Sequence, residues 1–296
     1  MARRFRFGTE GLAHALVCAA LAAYALLCVL PMALVVAISL TSETSIRRYG
    51  YRFIPEEWSL AAYELLFAGS NAMLRSYGVS LFVTVFGTLL AVTVTAMAAC
   101  TLSNPSVNYR NHLAMFFFFT MIFNGGIVPW YMICRLLGLY DNILALLVPN
   151  LLFSAFNMFL VRNFMQSLPA ALAESAKIDG ANDAVIAFRI LFPLSKPVLA
   201  TVALFYGLAY WNDWWNAIML VGDERLYPVQ YFLFKLQSDI CMLSEMAGAA
   251  GSGAQMLPTE SSKMATAVVT IGPIVFMYPY LQRYFVKGLI VGSVKG

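Results

Sequence analysis

Charge is what this sequence has least of. Of its 296 residues only 11% are Asp, Glu, Lys or Arg, while 61% are hydrophobic and the mean hydropathy is +0.74. A soluble domain carries about a quarter charged residues. The shortfall excludes an ordinary soluble core and fits a chain whose solvent is mostly lipid. Histidine is scarce: His14 and His112 are the only two. No apolar segment holds a His/Asp/Glu cluster, which argues against a membrane-embedded enzyme. Cys18, Cys28, Cys100, Cys134 and Cys241 lack metal-ligand spacing, so no metal site is expected and they read as packing residues, with a Cys134–Cys241 bridge left open. There is no G-x-x-x-x-G-K-S/T phosphate loop, so the chain is not its own ATPase.

What is present is long apolar sequence. A helix needs about 20 residues to cross roughly 30 Å of hydrocarbon. Six segments meet or approach that length: Leu12–Leu40, Tyr77–Leu102, Leu113–Cys134, Ile143–Val161, Val198–Val221 and Ala265 to about Phe285. Backbone groups in lipid must be bonded internally, so the expected fold is all-α with six transmembrane helices. The first segment follows Arg3, Arg4 and Arg6 but far exceeds the apolar core of a signal peptide, and it reads as a retained helix. The same arginines place both ends of a six-span chain in the cytoplasm. The cytoplasmic loops then hold more cations than the outer ones, and the acids lie mostly outside. Residues 1–76 form a first helix and outer loop; residues 77–296 form the core, with a cytoplasmic loop at 164–197 and an outer loop at 222–263.

The cytoplasmic loop is the most informative stretch: LPAALAESAKIDGANDAVIAFRILFPLSKP from Leu168 to Pro197. Ser167 is placed to cap a helix and Pro169 suits its first turn. Gly180 is a natural stop, and a second helix is expected from about Asn182 to Phe192, ended by Pro193. Two readings fit this bent pair: an amphipathic hairpin resting on headgroups, or a docking surface whose small residues let a partner approach closely.

The residue pattern favours the second. Glu174-Ser175-Ala176, Asp179-Gly180-Ala181, Ile190 and Pro193 closely resemble the EAA motif of binding-protein-dependent ABC importer permeases, with Ser175 where alanine is usual. The resemblance extends along most of the chain. It implies a type I ABC importer permease fold whose loop is a coupling helix seated on a nucleotide-binding subunit. It also implies the partners: a second, homologous permease, two ATP-binding subunits that hold ATP and Mg, a periplasmic solute-binding protein and an oligosaccharide, in the bacterial inner membrane. No cofactor in this chain and no nucleic acid are implied. Phe123-Asn124-Gly125-Gly126-Ile127-Val128-Pro129, Tyr210-Trp211-Asn212-Asp213-Trp214-Trp215-Asn216-Ala217 and the stretch from Tyr284 to Gly296 narrow the likeness to permeases for acidic-polysaccharide fragments such as alginate.

Candidate pathway residues are Asn124, Tyr210, Asn212, Asp213, Trp214 and Asn216. At helical spacing Tyr210, Asp213 and Trp214 share a face. Rings and amides suit sugar recognition, and an acid inside a span must face protein or water. The tryptophans also fit an interfacial belt, and Asn212 and Asp213 fit structural hydrogen bonding. Asn124-Gly125-Gly126 fits either a hinge or close helix packing. Gly251, Ser252 and Gly253 sit in a glycine-rich stretch that the likeness to maltose permeases makes a contact with the binding protein; a plain flexible loop fits equally. Arg135 and Lys235 are outward cations placed to meet a sugar carboxylate or simply to snorkel.

Overall fold

The computed structural model describes residues 9–68, 70–249 and 259–273. Among them the chain is helical with no β-strand, only one isolated bridge between Thr41 and Trp58. It divides into two compact units, Met1–Gly69 with Leu236–Ile271, and Ser70–Lys235 with Gly272–Gly296.

In the first unit α1 (Thr9–Ser39) is apolar on all sides and exposed from His14 to Ala33, as expected for a helix solvated by lipid. Beyond it, α2 (Glu43–Tyr49) starts at Ser42, whose hydroxyl accepts the Ser45 N–H at 3.2 Å, and α3 (Ala61–Phe67) follows. The buried carboxylate of Glu43 then does something no local pattern announces. It accepts the N–H groups of Glu260 (3.1 Å) and Ser261 (3.2 Å) and the hydroxyls of Thr259 (3.3 Å) and Ser261 (3.2 Å). A side chain from the start of α2 thus accepts backbone N–H groups at the beginning of the described helical segment 259–273, where a carboxylate is favourably placed. Next to it Glu260 accepts from Lys263 (2.9 Å) and Tyr51 (2.9 Å).

The Glu260 carboxyl sits below its ordinary value of 4.5, first because Lys263 donates to it and then because Tyr51 does. A depressed carboxylate contributes stability that is full above its unfolded pKa and is lost as pH falls through the lower folded value. Hydrogen exchange at the amides of Glu260 and Ser261 should therefore accelerate as pH drops below 4.5 beyond its intrinsic pH dependence. Glu43→Ala should accelerate it at neutral pH, since orphaning these buried donors costs about 1–3 kcal/mol.

The second unit is built on α4 (Ser70–Ser103), which packs against α8 (Ala155–Gln166) and α12 (Lys196–Trp211). Val83, Ala91, Met158, Val161, Val202 and Leu220 are central to its core. α4 and α12 pack tightly at Gly87, where the ring of Tyr210 fills the space a side chain would take: a Cβ there would lie 2.6 Å from the ring. Between these helices run α5 (Arg110–Ile122), α6 (Ile127–Leu136), α7 (Leu144–Leu147), α9 (Ala170–Ile178), α10 (Asp183–Val185), α11 (Phe192–Leu194), α13 (Trp215–Leu220) and α14 (Val229–Ala249), the last passing into the first unit after Lys235.

Two helices among the described residues are long and apolar enough to cross a membrane, His14–Ser39 and Asn71–Ser103. They match the first two expected spans. The third expected span is bent by 118° between α5 and α6, at the Asn124–Gly126 interruption. The fourth, read as continuous from Ile143 to Val161, is not: α7 ends at Leu147 and α8 begins at Ala155. Pro149 has no N–H to continue a helix, and Asn150 takes a φ of 62°. The fifth also breaks, at Asn212–Trp214, between α12 and α13. The sixth is helical through residue 273, and its remainder lies outside the described residues.

Candidate functional site

The loop at 164–197 folds around two local devices. α9 ends in a bonded reversal: Gly180 N–H donates to Lys177 O (3.0 Å) and Ala181 N–H to Ala176 O (2.9 Å), with Gly180 at φ 82°. That geometry needs the left-handed region, which glycine enters without a Cβ penalty. Asn182 then starts the next helix, its side chain accepting the Val185 N–H at 2.8 Å. Lys177 and Asp183 face each other across the bend at 3.6 Å.

Two expectations for this loop fail. Ser167 does not cap α9: its hydroxyl donates back to Phe164 O at 2.7 Å, and Pro169 holds the cap position without a side-chain bond. Nor does Pro193 end the second helix. Residues Ile186–Leu191 form a wide π-turn that leads through Pro193 to Leu194, and the chain bends by 80° into α12. Proline cannot donate into the preceding turn and crowds it, so a widened turn ahead of it is a natural accommodation.

No residue of α9 is buried. Glu174, Ser175, Asp179 and Gly180 are exposed, Ala176, Ala181 and Ile190 are half-buried, and Pro193 is exposed. The residue that sequence reading passed over is Ile178, 87% exposed at the end of α9. The signal was an isoleucine in the last turn of a short helix otherwise rich in small residues.

The second cluster lies around the two broken segments. Tyr210 is 2% exposed and donates to Leu147 O at 2.8 Å. Asn216, also 2% exposed, donates to Pro149 O at 3.0 Å. The hydroxyl of Tyr206 accepts the Ser154 N–H (2.9 Å) and meets Thr95 Oγ1 at 2.6 Å. Side chains of the fifth segment thus satisfy the backbone that the fourth leaves open between α7 and α8. Irregular backbone buried away from water requires such partners. Two of the pathway candidates, Tyr210 and Asn216, spend their donors here.

The shared face expected for Tyr210, Asp213 and Trp214 does not exist, because α12 stops at Trp211. Asp213 instead accepts the Asn216 N–H at 3.2 Å at the start of α13. Asn212 is exposed, donates to Leu208 O at 2.8 Å and accepts from Gln230 at 3.3 Å. Trp214 is 43% exposed and stacks on Phe234 at 5.8 Å. Asn124 is exposed and its carbonyl accepts the Gly126 N–H at 2.9 Å. Gly251, Ser252 and Gly253 lie outside the described residues. Cys134 is a free thiol and forms no disulfide.

No family model matches the chain. It is 38% identical over 276 residues to the polygalacturonan/rhamnogalacturonan transport system permease protein YtcP of Bacillus subtilis (strain 168), covering 92% of this chain and 94% of that protein. It is 37% identical over 270 residues to protein LplC of the same organism, covering 90% of each. Among solved structures it is similar, with a TM-score of 0.80 and 31% identity, to a chain of a bacterial ABC transporter involved in the import of the acidic polysaccharide alginate, covering 95% of this chain and 99% of that one. With likeness of that extent in sequence and in fold, the chain belongs to the permease proteins of ABC sugar-transport systems.

Proposed function

We propose that residues 164–197 are the point at which this permease receives the work of a separate ATPase. The observation that carries the reading is α9, a nine-residue helix held in a bonded bend, with no buried residue and with Ile178 presented to nothing in its own unit. A purely solvated loop gains nothing from such order, whereas a pre-shaped surface of small and apolar residues binds a groove at low entropic cost. Glu174, Ser175, Ala176, Asp179, Gly180 and Ala181 form or end that surface. Ile190 and Pro193 lie in the stiff connection to α12, through which a displacement of α9 reaches the membrane-embedded core.

In this reading the chain sits in the inner membrane with both ends cytoplasmic. It pairs with a second, homologous permease, two ATP-binding subunits that hold ATP and Mg, and a periplasmic binding protein. Nucleotide state biases inward- against outward-open conformations, a population shift rather than chemistry in this chain. Tyr210, Asp213 and Asn216 frame the broken segments, and Asn124, Asn212 and Trp214 supply exposed groups to the pathway. The cargo is an oligosaccharide of an acidic polysaccharide, of the alginate or galacturonan kind; the names of the relative and of the solved transporter support this. The test is ATP hydrolysis by the purified complex with saccharide-loaded binding protein. Uronate oligosaccharides should stimulate it; stimulation by neutral oligosaccharides alone would sink the acidic cargo, and none by any saccharide would sink the importer reading.

A further inference from the structure

Two cations, Arg135 and Lys235, were expected at the outer end of the pore, and the structure separates them. Lys235 is paired with Glu224 at 2.6 Å and lies 5.2 Å from the centre of the Tyr227 ring, so its charge is already answered. Arg135 has no carboxylate partner and no side-chain hydrogen bond among the described residues. Its guanidinium carbon lies 4.8 Å from the centre of the Tyr140 ring and 5.9 Å from that of Tyr131.

The backbone fixes this arrangement. Tyr131 is one turn back on α6. Gly138, at φ 70°, reverses the chain, with its N–H on Arg135 O (3.1 Å) and the Leu139 N–H on Cys134 O (2.8 Å), which returns Tyr140 to Arg135. Tyr140 is then locked in place. Asn142 donates to Gly138 O (2.6 Å) and Tyr140 O (3.2 Å). Asp141 donates through its N–H to Leu220 O (2.7 Å) and accepts the N–H groups of Gly222 (2.9 Å) and Asp223 (2.7 Å). The rings engage the cation and leave its N–H donors unbonded among the described residues. An arginine held this way has lost little freedom still to lose and presents a fork matched to a planar carboxylate.

We infer that Arg135, positioned by Tyr131 and Tyr140, is a carboxylate-reading site at the outer end of the permease, and that its ligand is a uronate unit of the transported oligosaccharide. This rests on the orientation and acidic cargo proposed above.

The test uses the complete transporter in proteoliposomes with its binding protein, and follows uptake of trigalacturonate and of its methyl ester. Arg135→Gln should lower trigalacturonate uptake about tenfold, the scale of one charge-assisted pair. Arg135→Lys should restore part of the loss, ester uptake should be unchanged, and the melting temperature of the complex should not move. Equal loss for both sugars, or a fall in melting temperature with it, would assign Arg135 a structural role and overturn the site. So would a loss seen in phosphatidylglycerol vesicles but not in phosphatidylcholine vesicles, since the ligand would then be a lipid phosphate. Wild-type uptake of trigalacturonate that Arg135→Gln leaves intact overturns the site alone, and failure of the wild type to take it up overturns the acidic cargo and the site together.

Discussion

Ile178→Asp should abolish ATP-driven uptake, by at least about 30-fold, while the permease remains inserted in the membrane in normal amount. The size follows from the position. Ile178 is 87% exposed and α9 has no buried residue, so the substitution removes nothing from the fold. It places a charge on the surface proposed to enter the ATPase groove, and loss of a central apolar anchor commonly costs 2 kcal/mol or more, about 30-fold. The ATP-binding subunits should also cease to co-purify with the variant. Gly180→Ala makes a useful contrast: a Cβ there meets no atom within 4 Å, so the cost is confined to the φ of 82°, about 1–2 kcal/mol. Normal uptake by Ile178→Asp would remove α9 from the coupling path.

Among the described glycines of the second unit, Gly87 should tolerate an added methyl group least, and Gly87→Ala should be clearly destabilising. Its Cβ would lie 2.6 to 2.9 Å from three atoms of the Tyr210 ring. A flexible exposed ring would turn aside, but Tyr210 is 2% exposed and its hydroxyl is committed to Leu147 O. Relief therefore requires either spreading α4 from α12 or breaking that bond. Overpacking costs about 1–3 kcal/mol, and an orphaned buried carbonyl adds about 1–3 kcal/mol. The variant complex should melt at clearly lower temperature in detergent, and proteolysis should open the stretch between α7 and α8. An unchanged melting profile would show that α4 and α12 separate easily at this point.

The parts of the fold that were legible in the sequence are those written locally. Unbroken apolar runs marked α1 and α4, Asn124-Gly125-Gly126 marked an interruption of the third segment that fitted a hinge or close packing alike, and Gly180 with Asn182 marked both ends of the turn in the 164–197 loop. What stayed hidden depends on partners far along the chain. The segment from Ile143 to Val161 read as continuous, and what lets it break at Pro149-Asn150 is Tyr206, Tyr210 and Asn216, more than 50 residues away. The stop at Trp211 carries no glycine or proline, so Asp213 read as a mid-helix acid. Ser167 read as an N-cap because its type is right; the Leu168-Pro169 step that follows keeps it with the end of α8. Tyr210 looked like a platform for sugar because composition cannot tell an exposed ring from one that fills the place of a side chain at Gly87.

Glu43 also constrains the order in which the molecule is made. The amides it caps belong to Glu260 and Ser261, 217 and 218 residues later. At about 5–20 residues per second of synthesis, the ribosome reaches them roughly 10–40 s after it has passed Glu43. Until then the carboxylate must remain hydrated, and the stretch between α1 and α4 cannot reach its final form however early it is made. Closure of that contact reports that the more than 200 intervening residues have been made, so a protease that trims this stretch while it is unclosed would discriminate finished chains from stalled ones.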